Sequence, residues 1–591
     1  MEDRTSIDRT SLSAEKLELL ALLLEEEGFE ESESAIISRR PNPDQFPISF
    51  AQERLWFLDQ VEPGTPAYNI PLALQLTGQL KIEALAQSLT RIVERHEVLR
   101  ATFSRDNGRP VQRIAPAVPT PLPVVSVEGP DRAARRAAAH RILEAEAQRP
   151  FDLQHGPLLR ATLLRLADDE HILLLVLHHI VSDGWSTGVL LQELTTCYTA
   201  FSAGQLDRLS SELPPLVIQY ADYAAWERDV LNEERLAAQR AYWAQQLAGA
   251  PAVLTLPTDR PRPAVLSSRG AIYRFQLPAS LTAELNRLSQ QEGATLFQTL
   301  LATFQVLLGR LTQQTDVVVG TPIAHRTRRE TEALIGCFIN TLALRADLSG
   351  NPSFRALLQQ VRATTLAAYE QQDLPFAQVV DALQLARDLS YTPLFQTLFV
   401  LQNARLDMPA LPGLDVRLFE FDRKVTQFDF TLTLDETPQG LEGMVEYSAD
   451  LFDAATIARV IDCWRQLLAG VVANPAQPIA ALPLLTAADR QTLLAFNPPA
   501  AAFPVQQCLH QRFAAQAART PDAIAVTAGP TTLRYGALEA RANQLAHQLR
   551  ALGVGPDTLV GLYVERSAAL VVALLATLKA GAAYLPLDPS Y

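Results

Sequence analysis

Residues 172–186 read ILLLVLHHIVSDGWS. The apolar run Ile172–Leu177 has no polar interruption, as expected of a strand covered on both faces. Two histidines end the strand, and an Asp-Gly turn leads into a helix-like stretch, 186–201. Successive side chains of a strand point to opposite faces. One histidine can therefore face a cavity while its neighbour, His178 or His179, packs inside the scaffold. Asp183, four residues past His179, lies just beyond the strand end, where it can orient an imidazole or anchor a cation. Gly184 permits a positive φ or the close approach of another group to the backbone. A lone histidine here would read as a satisfied structural residue. Two histidines, an aspartate and a glycine at a strand-to-helix junction read better as a positioned base with a supporting carboxylate. A metal site fits less well, since adjacent strand histidines point apart and no HxxxH or HExxH spacing accompanies them.

Outward from this stretch, strand-like and helix-like segments alternate. Residues 158–166 read as a strand, as do 316–320 and 341–348. Ile82–Arg95 reads as a helix with Ile82, Leu85, Leu89, Ile92 and Val93 on one face. Leu281–Leu311 reads as one long helix. The mixture predicts an α/β protein. Upstream, the leucines of 14–27 form a loose helical stripe, and Pro41, Pro43 and Pro47 then break any helix. This segment, 1–45, reads as a capping or docking helix with its linker. After about residue 470, prolines punctuate an Ala-rich stretch, and 481–508 reads as an interdomain linker. A globular pattern resumes over 509–591, with too few strands to close a stable sheet. Its apolar helix around Leu570–Leu578 is expected to be partly uncovered.

The chain has 591 residues, 48% of them hydrophobic, and a net charge of −14. That balance argues against a duplex nucleic-acid binder. Lysine occurs only at Lys16, Lys81, Lys424 and Lys579, so there is no polybasic membrane patch. The apolar runs are too short to span a bilayer, and the charged start lacks the apolar core of a signal peptide. The expectation is a soluble, cytoplasmic protein with no membrane partner. Cys197, Cys337, Cys463 and Cys508 are far apart, against a disulfide scaffold or a cysteine zinc site.

HHIVSDGWS (178–186) resembles the core motif of the condensation domains of nonribosomal peptide synthetases. Other stretches resemble that family's blocks in the family's order. They are SFAQERLWFLDQ (Ser49–Gln60), RHEVLRATF (Arg95–Phe103), YADYAAW (Tyr220–Trp226), IGCFINTLALR (Ile335–Arg345), QQDLPFAQ (Gln371–Gln378) and RDLSYTPLFQ (Arg387–Gln396). The resemblance covers roughly 46–480. Gln371 and Ala377 stand where the family commonly has His and Glu, and YTPLF stands for the frequent RNPLF. These departures bear on substrate preference. Residues 509–591 resemble the start of an adenylation domain, in Leu533–Arg550 and Leu578–Pro589. The phosphate loop and later blocks of that domain are absent, so no amino-acid activation is expected of this chain.

The resemblance implies two chloramphenicol acetyltransferase-like lobes, 46–225 and 226–480, forming a V around a tunnel. A donor acyl or peptidyl thioester and an acceptor aminoacyl thioester would arrive on phosphopantetheine arms of partner carrier proteins. The upstream donor carrier is expected on a separate protein of the assembly and the acceptor carrier downstream; no cofactor is expected to be bound covalently in this chain. His179 would be the central catalytic residue, as base or by positioning the amine, with His178 and Asp183 in support. Gly184 would let substrate pass close to the backbone. The family's aspartate is thought to pair with an arginine, for which Arg95 and Arg100 are candidates. Trp185, Ser186 and Asn340 would line the tunnel. Trp185-Ser186 directly after the glycine fits condensation rather than epimerisation, and His178-His179 excludes the DxxxxD of cyclisation domains. General likeness favours an L-donor joined to an L-acceptor. The alternatives are a stand-alone acyltransferase using CoA or carrier thioesters, and an inactive carrier-binding gate or scaffold.

Overall fold

The computed structural model describes residues 37–40, 45–385, 388–402, 408–497 and 505–590. The leucine-rich stretch 14–27 lies outside them. The chain divides into two compact units after Arg490.

In chain order the first unit carries α1 (Phe50–Val61), β1 (Asn69–Gly78), α2 (Ile82–Arg95), β2 (Val124–Ser126) and α3 (Arg132–Gln148). Next come β3 (Leu159–Ala167), β4 (Glu170–His178), α4 (Gly184–Ala203) and α5 (Tyr220–Val230). Then follow β5 (Gly270–Pro278), α6 (Ala279–Gln291), α7 (Leu296–Thr312), β6 (Asp316–Ile323) and β7 (Asn340–Asp347). The unit continues with α8 (Phe354–Glu370), β8 (Thr397–Gln402), β9 (Leu414–Leu418), β10 (Phe430–Thr437), β11 (Gly440–Ser448) and α9 (Ala454–Ala473).

Two sheets organise this unit. The first has the order β9-β1-β4-β3-β2, the second β7-β6-β8-β10-β11-β5. β4 lies between β1 and β3, antiparallel to both, and all nine of its residues are buried. The unbroken apolar run predicts this central position. Each fully buried Leu, Ile or Val contributes roughly 1.5–3 kcal/mol. On α2, Leu85, Leu89, Ile92 and Val93 are buried, on the face that the 3.6-residue period indicates, and α2 packs on α4.

The expected single helix over 281–311 is two helices, α6 and α7, bent by 103° at the break. Gly293 takes φ +64, a left-handed conformation that ends a helix. Thr295 and Gln298 form a capping box that starts α7. Among the described residues no single helix is long and apolar enough to cross a membrane.

Each sheet has its own hydrophobic core. The cores do not follow the chain in two consecutive blocks. Residues 414–418 form β9 and pair with β1. Leu334, Ile335, Cys337 and Phe338 join the core of the first sheet. The second half of the chain thus completes the layer that holds the histidine motif.

In the second unit, Ile524–Ala528 pairs with Thr531–Arg534, and Leu559–Tyr563 pairs in parallel with Ala583–Leu587. The helix Ala568–Ala580 keeps its leucines half-buried. Exposed apolar side chains lie both on the strands, with Leu559 70% and Tyr563 69% exposed, and off them, with Leu552 77% exposed.

Candidate functional site

β4 ends at His178, and His179–Val181 form a 3-10 turn. Asp183 then caps α4, accepting a hydrogen bond from Ser186 N at 2.8 Å. A buried strand, a one-turn stop and a capped helix fix the backbone on both sides of His179.

The two histidines differ sharply. His178 is 4% exposed. Its Nδ1 accepts from Ile180 N at 3.1 Å, and its ring meets Phe151 edge-on at 5.8 Å. Burial pushes its pKa down to about 3, with the neighbouring His179 and Arg160 acting in the same direction. It is a neutral scaffold residue. His179 is half-buried, and its Nδ1 lies 3.8 Å from Cys337 Sγ. Its pKa is also lowered, first by burial, with Arg54 and Arg423 adding to the shift. The Asp183 carboxylate opposes it. A neutral imidazole can take a proton or hold an amine by hydrogen bonding.

Asp183 does not hydrogen-bond to either histidine. Its Oδ1 accepts from Ser186 N, Ser186 Oγ at 2.7 Å and Arg326 at 3.2 Å. Its Oδ2 accepts from Phe338 N at 3.0 Å. Ser186 Oγ also accepts from Arg326 at 2.8 Å and from Gly336 N at 3.0 Å. Arg326 further donates to the Leu334 carbonyl at 2.8 Å and lies 4.0 Å over the Phe338 ring. The carboxylate therefore staples the start of α4 to residues 331–338 and supports His179 at one remove.

Arg326 is the arginine that pairs with Asp183, and this corrects the expectation of Arg95 or Arg100. Arg95 donates to Glu193 at 2.8 Å. Arg100 donates to the backbone carbonyls of Val93, Ala115 and Glu94. The resemblance suggested those two as arginines of the second block, whereas β6 and the turn after it bring Arg326 across from the second sheet. The only hint in the sequence was the basic cluster of HRTRRE (325–330) directly after an apolar strand.

Gly184 does not adopt a left-handed φ, and a Cβ there would meet nothing within 4 Å. The fold itself thus leaves open space at this glycine. Trp185 is 39% exposed, with its indole donating to the Glu332 carbonyl at 2.9 Å. Ser186 is fully buried in the Asp183 staple, not a lining residue. The Asn340 amide donates to the carbonyls of Gln372 and Leu374 and accepts from Thr341 N and Phe376 N. Both donors and the carbonyl oxygen are engaged, so Asn340 clamps the 372–376 loop. Residues of the first block close the site from behind. Gln52 donates to the Ile180 carbonyl at 3.1 Å, and Arg54 lies 5.5 Å over Phe376.

Residues 42–494 match the condensation domain family, and residues 513–591 match the AMP-binding enzyme family. The chain belongs to the condensation-domain family of nonribosomal peptide synthetases, which are amide-bond-forming, acyltransferase-type enzymes, and it carries a part of an AMP-binding region. A linear gramicidin synthase protein of Brevibacillus parabrevis is 46% identical over 591 residues, 100% of this chain and 8% of that relative. Malpinin synthetase of Mortierella alpina is 45% identical over 567 residues, 95% of this chain and 7% of the relative. The chain therefore spans less than a tenth of these two relatives. Among solved structures, the X-domain from teicoplanin biosynthesis superposes with a TM-score of 0.70 at 30% identity, covering 76% of this chain and all of that one. A four-domain nonribosomal peptide synthetase, AB3403, bound to AMP and glycine, gives a TM-score of 0.70 at 25% identity, over 93% of this chain and 42% of that one. The fold is the chloramphenicol acetyltransferase-like fold of condensation domains. In this family, condensation domains work with carrier domains that bear phosphopantetheine.

Proposed function

We propose that the first unit joins a donor acyl or peptidyl thioester to the amine of an acceptor aminoacyl thioester, each delivered on the phosphopantetheine arm of a carrier. The carriers would be an upstream donor and a downstream acceptor in a cytoplasmic synthetase. The amine nitrogen bonds to the donor carbonyl carbon and the carbon–sulfur bond breaks. The amine proton is released, and the departing thiolate takes up a proton. The observation that carries this reading is the half-buried imidazole of His179, which directly follows the end of a fully buried strand. Its lowered pKa keeps it neutral at neutral pH, ready to accept the amine proton or to hold the amine in line. The open space at Gly184 supports close passage of an arm, and exposed Trp185 supports a place on its path. His178, Asp183, Ser186 and Arg326 serve as scaffold.

The test is condensation between loaded donor and acceptor carriers, read by mass spectrometry of the acceptor-bound product. His179→Ala is expected to lower the single-turnover rate about 10²- to 10⁴-fold. An unchanged rate in His179→Ala overturns the role of His179. Turnover of CoA thioesters with no carrier present would instead assign a stand-alone acyltransferase. Carrier binding with no product from the wild-type chain would assign a scaffold.

A further inference from the structure

We propose that Cys337 is a positioning residue for His179: its sulfur holds the ring at Nδ1, and through it the Asp183–Ser186–Arg326 staple sets which imidazole nitrogen is free. This rests on the reading of His179 above.

The geometry comes first. Cys337 Sγ lies 3.8 Å from His179 Nδ1, within sulfur hydrogen-bond range, and Cys337 is fully buried. Nε2 has no hydrogen-bond partner among the described residues, so it is the ring nitrogen free to receive a proton. For it to do so, Nδ1 must carry the hydrogen, and the Cys337 sulfur is then the acceptor of that hydrogen.

The backbone around Cys337 is held at three points. The Cys337 carbonyl accepts from Tyr220 OH at 2.5 Å, and the tyrosine oxygen lies 2.7 Å from Ser49 Oγ. On one side of Cys337, Gly336 N donates to Ser186 Oγ. On the other, Phe338 N donates to Asp183 Oδ2. Gly336 lets the backbone come close, since a Cβ there would sit 2.0 Å from the Tyr220 ring. The anchors come from the start of α4, from Tyr220 at the start of α5 and, through it, from Ser49 ahead of α1, so the backbone that carries the sulfur has little freedom to drift. Burial also keeps the thiol far above its usual pKa. The sulfur stays neutral and does not turn His179 into a permanent cation, as a thiolate partner would. Asp183 thus reaches His179 through the two peptide groups that flank Cys337.

The test uses the whole chain labelled with ¹⁵N-histidine. It holds nine histidines, and His179→Gln identifies the His179 signal. Wild type is expected to show a protonated Nδ1 and a bare Nε2. Cys337→Ala is expected to give a mixture of both tautomers. It should also lower single-turnover condensation about 10- to 100-fold, with the KM for each carrier unchanged. Cys337→Ser keeps a polar group, but its shorter bond places the oxygen farther from Nδ1. It is expected to show the same mixture, so the prediction stands even where the alanine variant folds poorly. Asp183→Asn, which keeps the capping oxygen but loses the charge, should shift the tautomers in the same direction and less far. An unchanged tautomer in both Cys337 variants overturns the proposal, as does an unchanged rate in Cys337→Ala. Full condensation by His179→Ala would sink the catalytic reading of His179, while the tautomer shift would still report on the Cys337 contact.

Discussion

Two buried ionic clusters hold the same short segment against the same helix, and they do so differently. At the start of α4, Asp183 and Ser186 bind Arg326, Gly336 and Phe338. Farther along α4, Glu193 accepts from Arg95 at 2.8 Å and from His96 Nε2 at 3.0 Å. His96 Nδ1 in turn accepts from Ile335 N at 3.3 Å. The charged side chains of both clusters are nearly inaccessible, with Arg326 and Asp183 at 2% and 3% and Arg95 and Glu193 at 9% and 6%. The first cluster grips both peptides beside Cys337; the second reaches only Ile335, through one imidazole. Equal burial therefore gives unequal leverage on His179. Stability depends on both clusters, whereas the placement of the site depends mainly on the first.

The sharpest way to break this comparison is Asp183→Ala. It leaves the Arg326 guanidinium buried without its carboxylate, a loss of about 3–5 kcal/mol. Urea unfolding of the first unit should show that fall, and single-turnover condensation by the remaining folded protein should fall as well. Arg326→Met added to Asp183→Ala should recover much of the stability, because a buried pair removed together costs far less than a broken one. It should recover little of the rate, because the peptides beside Cys337 remain untied. Lost rate with unchanged stability in Asp183→Ala would instead give the carboxylate a direct part in the chemistry.

Glu193→Gln probes the other cluster and is expected to cost about 1–3 kcal/mol, with the rate of folded protein within about threefold of wild type. Its acid response carries a sign. Burial raises the Glu193 pKa, but hydrogen bonds and charge from His96 and Arg95 outweigh it, and the net shift is downward from 4.5. The unfolded carboxylate thus takes up a proton first as pH falls. Glu193 contributes stability above about pH 4.5 that is lost as pH drops through its lower folded value. The glutamine variant should lose less stability than wild type across that window, measured by urea midpoint against pH. Parallel curves for the two proteins would contradict this assignment.

How much of this was legible in the sequence follows from what sequence encodes. The buried strand, its end at the histidines and the helix after Asp183 all came from local apolar pattern and turn residues, which act within a few positions. The separation of His178 from His179 came from strand alternation, sharpened by the 3-10 turn that starts at His179. The break between α6 and α7 was marked by Gly293 and Thr295, yet the apolar period continued across it and hid it. Arg326 and Cys337 were not legible as site residues. Arg326 meets Asp183 across 143 positions, and Cys337 meets His179 across 158. No spacing rule carries a contact between two sheets, and each of these residues taken alone looked ordinary. The family resemblance pointed to Arg95 and Arg100 of the second block, and Glu193, which claims Arg95, carried no signal on α4.

The smallest expected effect separates the clusters from their surroundings. Arg100 lies in the same block as Arg95 and, on sequence alone, was an equal candidate for pairing with Asp183. Its guanidinium bonds only to backbone carbonyls, largely at the surface. Those carbonyls regain water when the side chain is removed, so Arg100→Ala should cost under about 1 kcal/mol. Condensation should proceed at the wild-type rate with the same KM for both carriers. Arg95→Ala, by contrast, removes one of the two partners of a buried carboxylate and should destabilise by about 1–3 kcal/mol. If Arg100→Ala instead lowered rate and stability together, as Asp183→Ala is expected to do, the pairing of Asp183 with Arg326 would be wrong. The two-cluster division would then fall with it, because a guanidinium from the 3-10 turn after α2 would have to reach the start of α4.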